Sequence, residues 1–208
     1  MRLGLYGGSF DPVHYGHLLL AECCREELNL DVVWLTPTAT SPFKQGCASA
    51  PAKHRVEMLK LAVAGHEALH VSTVEIDRGG VSYTVDTLAE LHAQYPEAEL
   101  FFLMGADSFQ DFPNWREPAR ICELAIPVAV ARPDYPPVNY DLLQGLTTPE
   151  RLEAIRRCQV TMPLVDLSST DLRRRVAAGK SIRYRTPRAV EKYIETHGLY
   201  REPTPASS

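Results

Sequence analysis

The chain lacks the features that would place it in several large classes of protein. Its five cysteines, at positions 23, 24, 47, 122 and 158, form no CxxC pair and no regular spacing. That disfavours both a disulfide scaffold and a thiolate zinc site, and it suits a reducing compartment. No apolar run approaches the roughly 18 residues of a membrane span, and the chain meets Gly7-Gly8 before any signal-length apolar stretch develops. A cytoplasmic protein whose mature chain begins at Met1 is therefore expected, with no membrane partner. There is no excess of positive charge: the formal net charge is -4, so nothing global draws the chain to a nucleic-acid backbone. Internal repeats, low-complexity tracts and interdomain linkers are also missing.

What remains is an ordinary globular composition, 45% hydrophobic and 23% charged over 208 residues, enough for one substantial core. A single domain over residues 1–200 with a disordered tail at 201–208 is expected. Short apolar runs alternate with segments of helical period. The predicted strands are Arg2 to Tyr6, Val32 to Leu35, His70 to Ile76, Glu99 to Met104, Ile126 to Ala131 and Thr161 to Asp166. Between them, sets such as Leu20, Cys24 and Leu28, or Val85, Leu88, Leu91 and Tyr95, recur on one helical face. This alternation predicts an α/β fold, Rossmann-like and doubly wound, with a mainly parallel sheet and helices on both faces. The last helix is expected to start with Thr186 as its cap and Pro187 at its first position, and to stop at Gly198. Two long loops, 36–50 and 132–145, are candidates for ligand contact.

In a doubly wound sheet, ligands bind beyond the carboxyl ends of the strands. The segment after the first strand, Gly7 to His17, combines paired glycines, an Asp11-Pro12 turn and the start of a helix. Paired glycines with positive φ and unpaired helix-start N–H groups make a phosphate cradle, here Gly7, Gly8, Ser9 and Phe10. His14 and His17 are three apart, so a helix that has begun by Val13 would project them from one face. Imidazoles there can donate to phosphate oxygens and offset charge that grows during nucleotidyl transfer. Neither histidine has a third ligand at metal spacing, so no metal ligand is expected from protein side chains.

The run from Gly7 to His17 resembles the signature of the adenylyltransferases of the nucleotidyltransferase superfamily, whose HxGH motif is shared with class I aminoacyl-tRNA synthetases. The resemblance extends through ordered motifs to about residue 200. Ser168-Ser169-Thr170-Asp171-Leu172-Arg173 is similar to the family's S-S-T-x-[IL]-R element, which implies that Ser168, Ser169, Thr170 and Arg173 hold ATP phosphates. Gly105-Ala106-Asp107-Ser108 is similar to its G-A-D-S element, which implies that Gly105 and Asp107 contact the adenosine side. Ser82 to Leu88 resembles the S-Y-T-x-x-T-L stretch of bacterial nicotinate mononucleotide adenylyltransferases. This implies Tyr83 and Thr84 at the pyridine pocket, Trp115 stacked on the ring, and Lys44 near the mononucleotide phosphate. Phe43 stands where the family has a histidine in P-P-H-K, and the role of Arg132, in an A-R-P element, is left open.

The implied reaction transfers AMP from ATP to nicotinate mononucleotide, giving deamido-NAD and pyrophosphate in NAD biosynthesis, with Mg2+ carried by the ATP phosphates. The residues alone leave open nicotinamide mononucleotide or another phosphorylated acceptor, and a nucleotide-binding module without turnover. Both substrates are small molecules, no nucleic acid is expected, and monomer and homo-oligomer both remain open.

Overall fold

The computed structural model describes residues 1–42, 50–133 and 135–201. Lys44, Phe43, Cys47 and residues 202–208 of the expected tail lie outside the described residues. The elements run β1 (Arg2–Gly8), α1 (Tyr15–Glu27), β2 (Val32–Pro37), α2 (Ala52–Val63), β3 (Leu69–Val71), α3 (Val74–Arg78) and α4 (Thr84–Gln94). They continue with β4 (Glu99–Gly105), α5 (Ala106–Gln110), α6 (Pro118–Leu124), β5 (Ile126–Ala131), α7 (Pro149–Arg157), β6 (Val160–Thr161), α8 (Ser169–Ala177) and α9 (Arg188–Thr196). Short 3-10 turns lie at Phe112–Asn114 and Tyr140–Leu143.

All six strands are parallel, in the order β3-β2-β1-β4-β5-β6. The chain starts in the middle, winds out through β2 and β3, and returns beside β1 as β4. That return makes the β1/β4 junction the switch point, where neighbouring connections leave in opposite directions and open a crevice. The strands are continuous apolar runs because helices cover both faces: Leu100 to Met104 of β4 are all buried. Val85, Leu88 and Leu91 of α4 are buried together, each contributing about 1.5–3 kcal/mol from area removed from water. Among the described residues no helix is long and apolar enough to cross a membrane.

Three expectations are corrected. The strand expected over residues 70 to 76 ends at Val71. Thr73 becomes the cap of α3, its hydroxyl donating to Asp77 Oδ2 at 2.7 Å, and Glu75 turns inward. The strand expected over 161 to 166 lasts only two residues in the ladder, with one further bond from Met162 N to Ala131 O. Pro163 then has no N–H to offer. Thr186 does not cap α9: the cap is Pro187, and the buried Thr186 hydroxyl instead donates to Val13 O at 2.7 Å. The stop at Gly198 is as expected, with φ +60 and Leu199 N reaching back to Ile194 O.

Candidate active site

The crevice opens where β1 and β4 end. A side chain added at Gly105 would meet no protein atom within 4 Å, and one at Gly7 would meet only the Phe102 ring, at 4.0 Å. Both strand ends therefore abut open space. A cavity of about 500 Å3 runs from Gly7, Gly8 and Ser9 at one end to Tyr83, Thr84 and Trp115 at the other. Another depression, about 600 Å3, lies between α8 and α9, away from the strand ends.

The turn after β1 has a different conformation from the one expected. Gly7 and Gly8 complete the strand, and the left-handed residue is Phe10, with φ +47. That backbone costs a non-glycine residue about 1–2 kcal/mol. It is offset by burial of the Phe10 ring, worth about 1.5–3 kcal/mol, against Tyr6 (centroids 5.4 Å) and His17 (5.1 Å). Gly8 is needed beneath this ring, because a Cβ there would lie 3.1 Å from it. The turn is then pinned from outside by four side chains. Arg55, buried in α2, donates to the carbonyls of Ser9 (2.9 Å), Thr38 (2.7 Å) and Ala50 (3.1 Å). Ser169 donates to Pro12 O at 2.9 Å, Arg173 to Asp11 O at 2.8 Å, and Thr186 to Val13 O. The Asp11–Pro12 peptide is cis.

His14 caps α1 in extended conformation rather than sitting inside the helix. Its backbone N–H donates to His17 Nδ1 at 3.2 Å, so the neutral His17 ring carries its proton on Nε2. The two rings stack, with centroids 3.7 Å apart and planes at 21°. They do not project side by side from a helical face as expected. Gly16 makes this stack fit: a Cβ there would approach His14 Nδ1 to 3.1 Å. Burial, and secondarily the charge of Arg132, push the His14 pKa down to about 4, so at neutral pH His14 is an uncharged donor. Its Nδ1 has no hydrogen-bond partner among the described residues.

α8 brings its first turn against this loop. The Ser168 hydroxyl caps the helix, accepting from Asp171 N at 3.1 Å, and Thr170 Oγ1 accepts from Arg173 Nη2 at 3.3 Å. Arg173 thus lies over the turn, within 3.8 Å of Asp11 Oδ2, with about a third of its side chain exposed. Asp107 is exposed in the first turn of α5, whose cap is Gly105.

At the other end of the cavity, Tyr83 caps α4, and Thr84 is its first residue. Within that first turn the Asp86 amide already donates to Tyr83 O at 3.1 Å, while the amides of Thr84 and Val85 precede the first i−4 acceptor of the helix, the situation that suits an anion. The Arg116 guanidinium lies over the Tyr83 ring at 4.6 Å and pairs with Asp86 at 3.5 Å. Trp115 packs edge-on to Phe102 (5.7 Å) and tilted against Phe112 (5.7 Å). Beneath them Glu75 Oε1 accepts from Thr87 Oγ1 at 2.8 Å, and the Ala39 amide donates to the Ser82 hydroxyl at 2.9 Å. Burial pushes the Glu75 pKa up, while the Thr87 and Ser82 hydroxyls pull it back.

The structure therefore brings Gly7, Gly8, Ser9, Tyr83, Thr84 and Trp115 to one cavity. It gathers His14, His17, Ser169 and Arg173 around the turn after β1. Sequence reasoning missed Arg55, Glu75 and Arg116. Arg55 shares a helical face with Met58 and Leu59, and that spacing is the signal that could have marked it as buried. Among the described residues no group of three or more His, Cys, Asp or Glu is arranged to hold a metal ion.

A family model described as cytidylyltransferase-like matches residues 5–175. A probable nicotinate-nucleotide adenylyltransferase of Thermomicrobium roseum is 46% identical over 200 residues, covering 96% of this chain and 92% of the relative. A probable nicotinate-nucleotide adenylyltransferase of Thermus thermophilus is 48% identical over 201 residues, covering 97% and 100%. Among solved structures, Plasmodium falciparum nicotinic acid mononucleotide adenylyltransferase complexed with NaAD superposes with a TM-score of 0.73 at 17% identity, covering 96% of this chain and 97% of the other. At that identity the likeness bears on the fold alone.

Proposed function

This chain belongs to the nicotinate-nucleotide adenylyltransferase family within the cytidylyltransferase-like group, and on that premise we propose that it transfers AMP from ATP to nicotinate mononucleotide. The products are deamido-NAD and pyrophosphate, and the pathway is NAD biosynthesis. The observation that supports this most directly is the single cavity lined both by the glycine turn, Gly7 to Ser9, and by Tyr83 and Trp115, with the two stacked imidazoles packed behind Phe10 of that same turn. One end suits a polyphosphate and the other a planar ring.

In the proposed mechanism, the acceptor 5'-phosphate attacks the α-phosphorus of ATP in line and pyrophosphate leaves. The attacking group is already an anion, so a general base is unnecessary and no covalent enzyme intermediate forms. Catalysis comes from alignment and charge stabilisation. His17, through Nε2–H, and the neutral His14 contact the α- and β-phosphates. Gly7, Gly8, Ser9 and Phe10 let the chain approach them, while Ser168, Ser169, Thr170 and Arg173 hold the outer phosphates. Gly105 and Asp107 serve the adenosine, and Lys44 the acceptor phosphate. Tyr83, Thr84 and Trp115 serve the pyridine, with the α4 start receiving its carboxylate. Magnesium arrives on the ATP phosphates. A single domain over 1–200 working in the cytoplasm completes the proposal.

Pyrophosphate release from ATP and magnesium, with nicotinate and nicotinamide mononucleotides in parallel, tests it. A higher kcat/KM for the acid is expected. An equal or greater value for the amide would replace the acceptor, and silence with both would leave a binding module.

A further inference from the structure

We propose that Tyr200, in the turn after α9, is a positioning residue for the nucleotide end of the site: its hydroxyl holds Asp11 so that Arg173 stays available to phosphate. The inference rests on the functional reading above, since Arg173 is the phosphate ligand proposed there.

The geometry starts from Asp11, which is 3% exposed although it carries a carboxylate. A buried carboxylate needs donors, and two arrive on the same oxygen: Tyr200 Oη at 2.7 Å and Ala50 N at 3.1 Å both donate to Oδ1. Among the described residues, Arg173 forms the ion pair with the other oxygen, with Nη1 at 3.8 Å from Oδ2, beyond a normal hydrogen bond. Nη1 instead donates to Asp11 O at 2.8 Å, a neutral acceptor. Tyr200 and Arg173 thus meet at one anion, each at a different oxygen. The donor that is never charged at neutral pH takes the short contact. Burial, and secondarily the Asp11 charge, push the Tyr200 pKa up, which keeps that proton in place.

Removing the Tyr200 hydroxyl leaves Asp11 under-satisfied, with the Arg173 guanidinium within reach of its carboxylate. A charge-assisted bond is stronger than the carbonyl contact it would displace, so Arg173 would close onto the carboxylate and leave less of its donor capacity for ATP. The C-terminal turn would in this way set nucleotide affinity without touching nucleotide.

The experiment is calorimetric titration of the full chain with a non-hydrolysable ATP analogue plus magnesium, and separately with nicotinate mononucleotide. Tyr200→Phe should raise the Kd for the ATP analogue roughly tenfold, the scale of one altered charged hydrogen bond, and leave the mononucleotide within about twofold. In an Asp11→Asn background the anion that recaptures Arg173 is gone, so adding Tyr200→Phe should have no further effect. Val190→Ala, which thins the buried face of α9 without reaching Asp11, should lower Tm and leave the ATP Kd unchanged. The proposal is overturned if Tyr200→Phe leaves the ATP Kd as it was, if its effect persists with Asn at position 11, or if Val190→Ala raises the Kd equally. A wild-type chain that binds the ATP analogue yet releases no pyrophosphate with nicotinate mononucleotide would sink the functional reading alone. The Kd comparison would still decide the role of Tyr200.

Discussion

Replacing Gly16 by alanine should separate stability from activity in this protein. Gly16 is the second residue of α1, where an alanine favours the helix by up to about 1 kcal/mol and stiffens the unfolded chain. On those grounds Gly16→Ala should leave Tm unchanged or raise it by up to about 3 °C. The new Cβ, however, would sit 3.1 Å from His14 Nδ1 and 3.2 Å from Cε1, so the ring must give by a few tenths of an ångström. His14 is buried and stacked at 3.7 Å on His17, so the displacement passes to the second imidazole rather than into solvent. Misplacing preorganised donors by that distance should cost about tenfold in turnover, or about 1.4 kcal/mol of barrier. The assay is pyrophosphate release at saturating ATP and acceptor beside a thermal melt of the same sample. Turnover within twofold of wild type would refute the idea that Gly16 exists to seat the histidine stack. A marked fall in Tm would refute the account of the helix.

Other expectations can be checked in the same way. His17→Ala should lower turnover roughly 10²- to 10³-fold, the effect of losing one preorganised donor to a developing anion, and unchanged turnover would remove His17 from the chemistry. Trp115→Ala should raise the KM of the acceptor far more than that of ATP; equal movement of both would mean it is not a private acceptor contact. Gly105→Ala should fold with wild-type stability, since its Cβ meets nothing within 4 Å, yet bind ATP more weakly in a titration. Stability should fall with acid through His14. Its folded pKa of about 4 lies below its ordinary 6.5, so between those values the unfolded chain binds the extra proton. The loss reaches about 3 kcal/mol by pH 4. Urea midpoints at pH 7 and pH 5 should show this slope, flattened in His14→Asn.

The centre of the sheet was readable because β4 and β5 carry nearly continuous apolar runs and the apolar residues of β1 lead straight into a glycine turn. β3 and β6 were overextended because their ends are set by single residues. The Thr73 cap and Pro163 each outweigh an apolar pattern that runs on past them. The turn after β1 was legible as a cradle but not in its conformation, because a left-handed Phe10 depends on the ring partners Tyr6 and His17. Arg55 and Tyr200 show the other limit. Helical spacing can put Arg55 on a buried face but cannot name its acceptors, and a tyrosine near the last glycine has no local signature of burial at all. Both are fixed by polar groups distant in sequence, at separations of 46 residues for Ser9 and 189 for Asp11.

The bonds that close the β1 turn also dictate when it can close. Ser169 to Pro12, Arg173 to Asp11 and Thr186 to Val13 span 157, 162 and 173 residues. During synthesis the glycine turn therefore emerges from the ribosome long before α8 and α9 and waits for them. The entropic cost of closing so long a loop exceeds that of one a tenth its length by only about 2 kcal/mol, so the delay is one of order rather than of stability. A nascent chain halted before residue 165 would carry the middle of the sheet with its anion turn still open. Nucleotide binding would then serve as a quality mark, acquired only when α8 and the segment that follows it have docked, and ATP would favour chains in which they had.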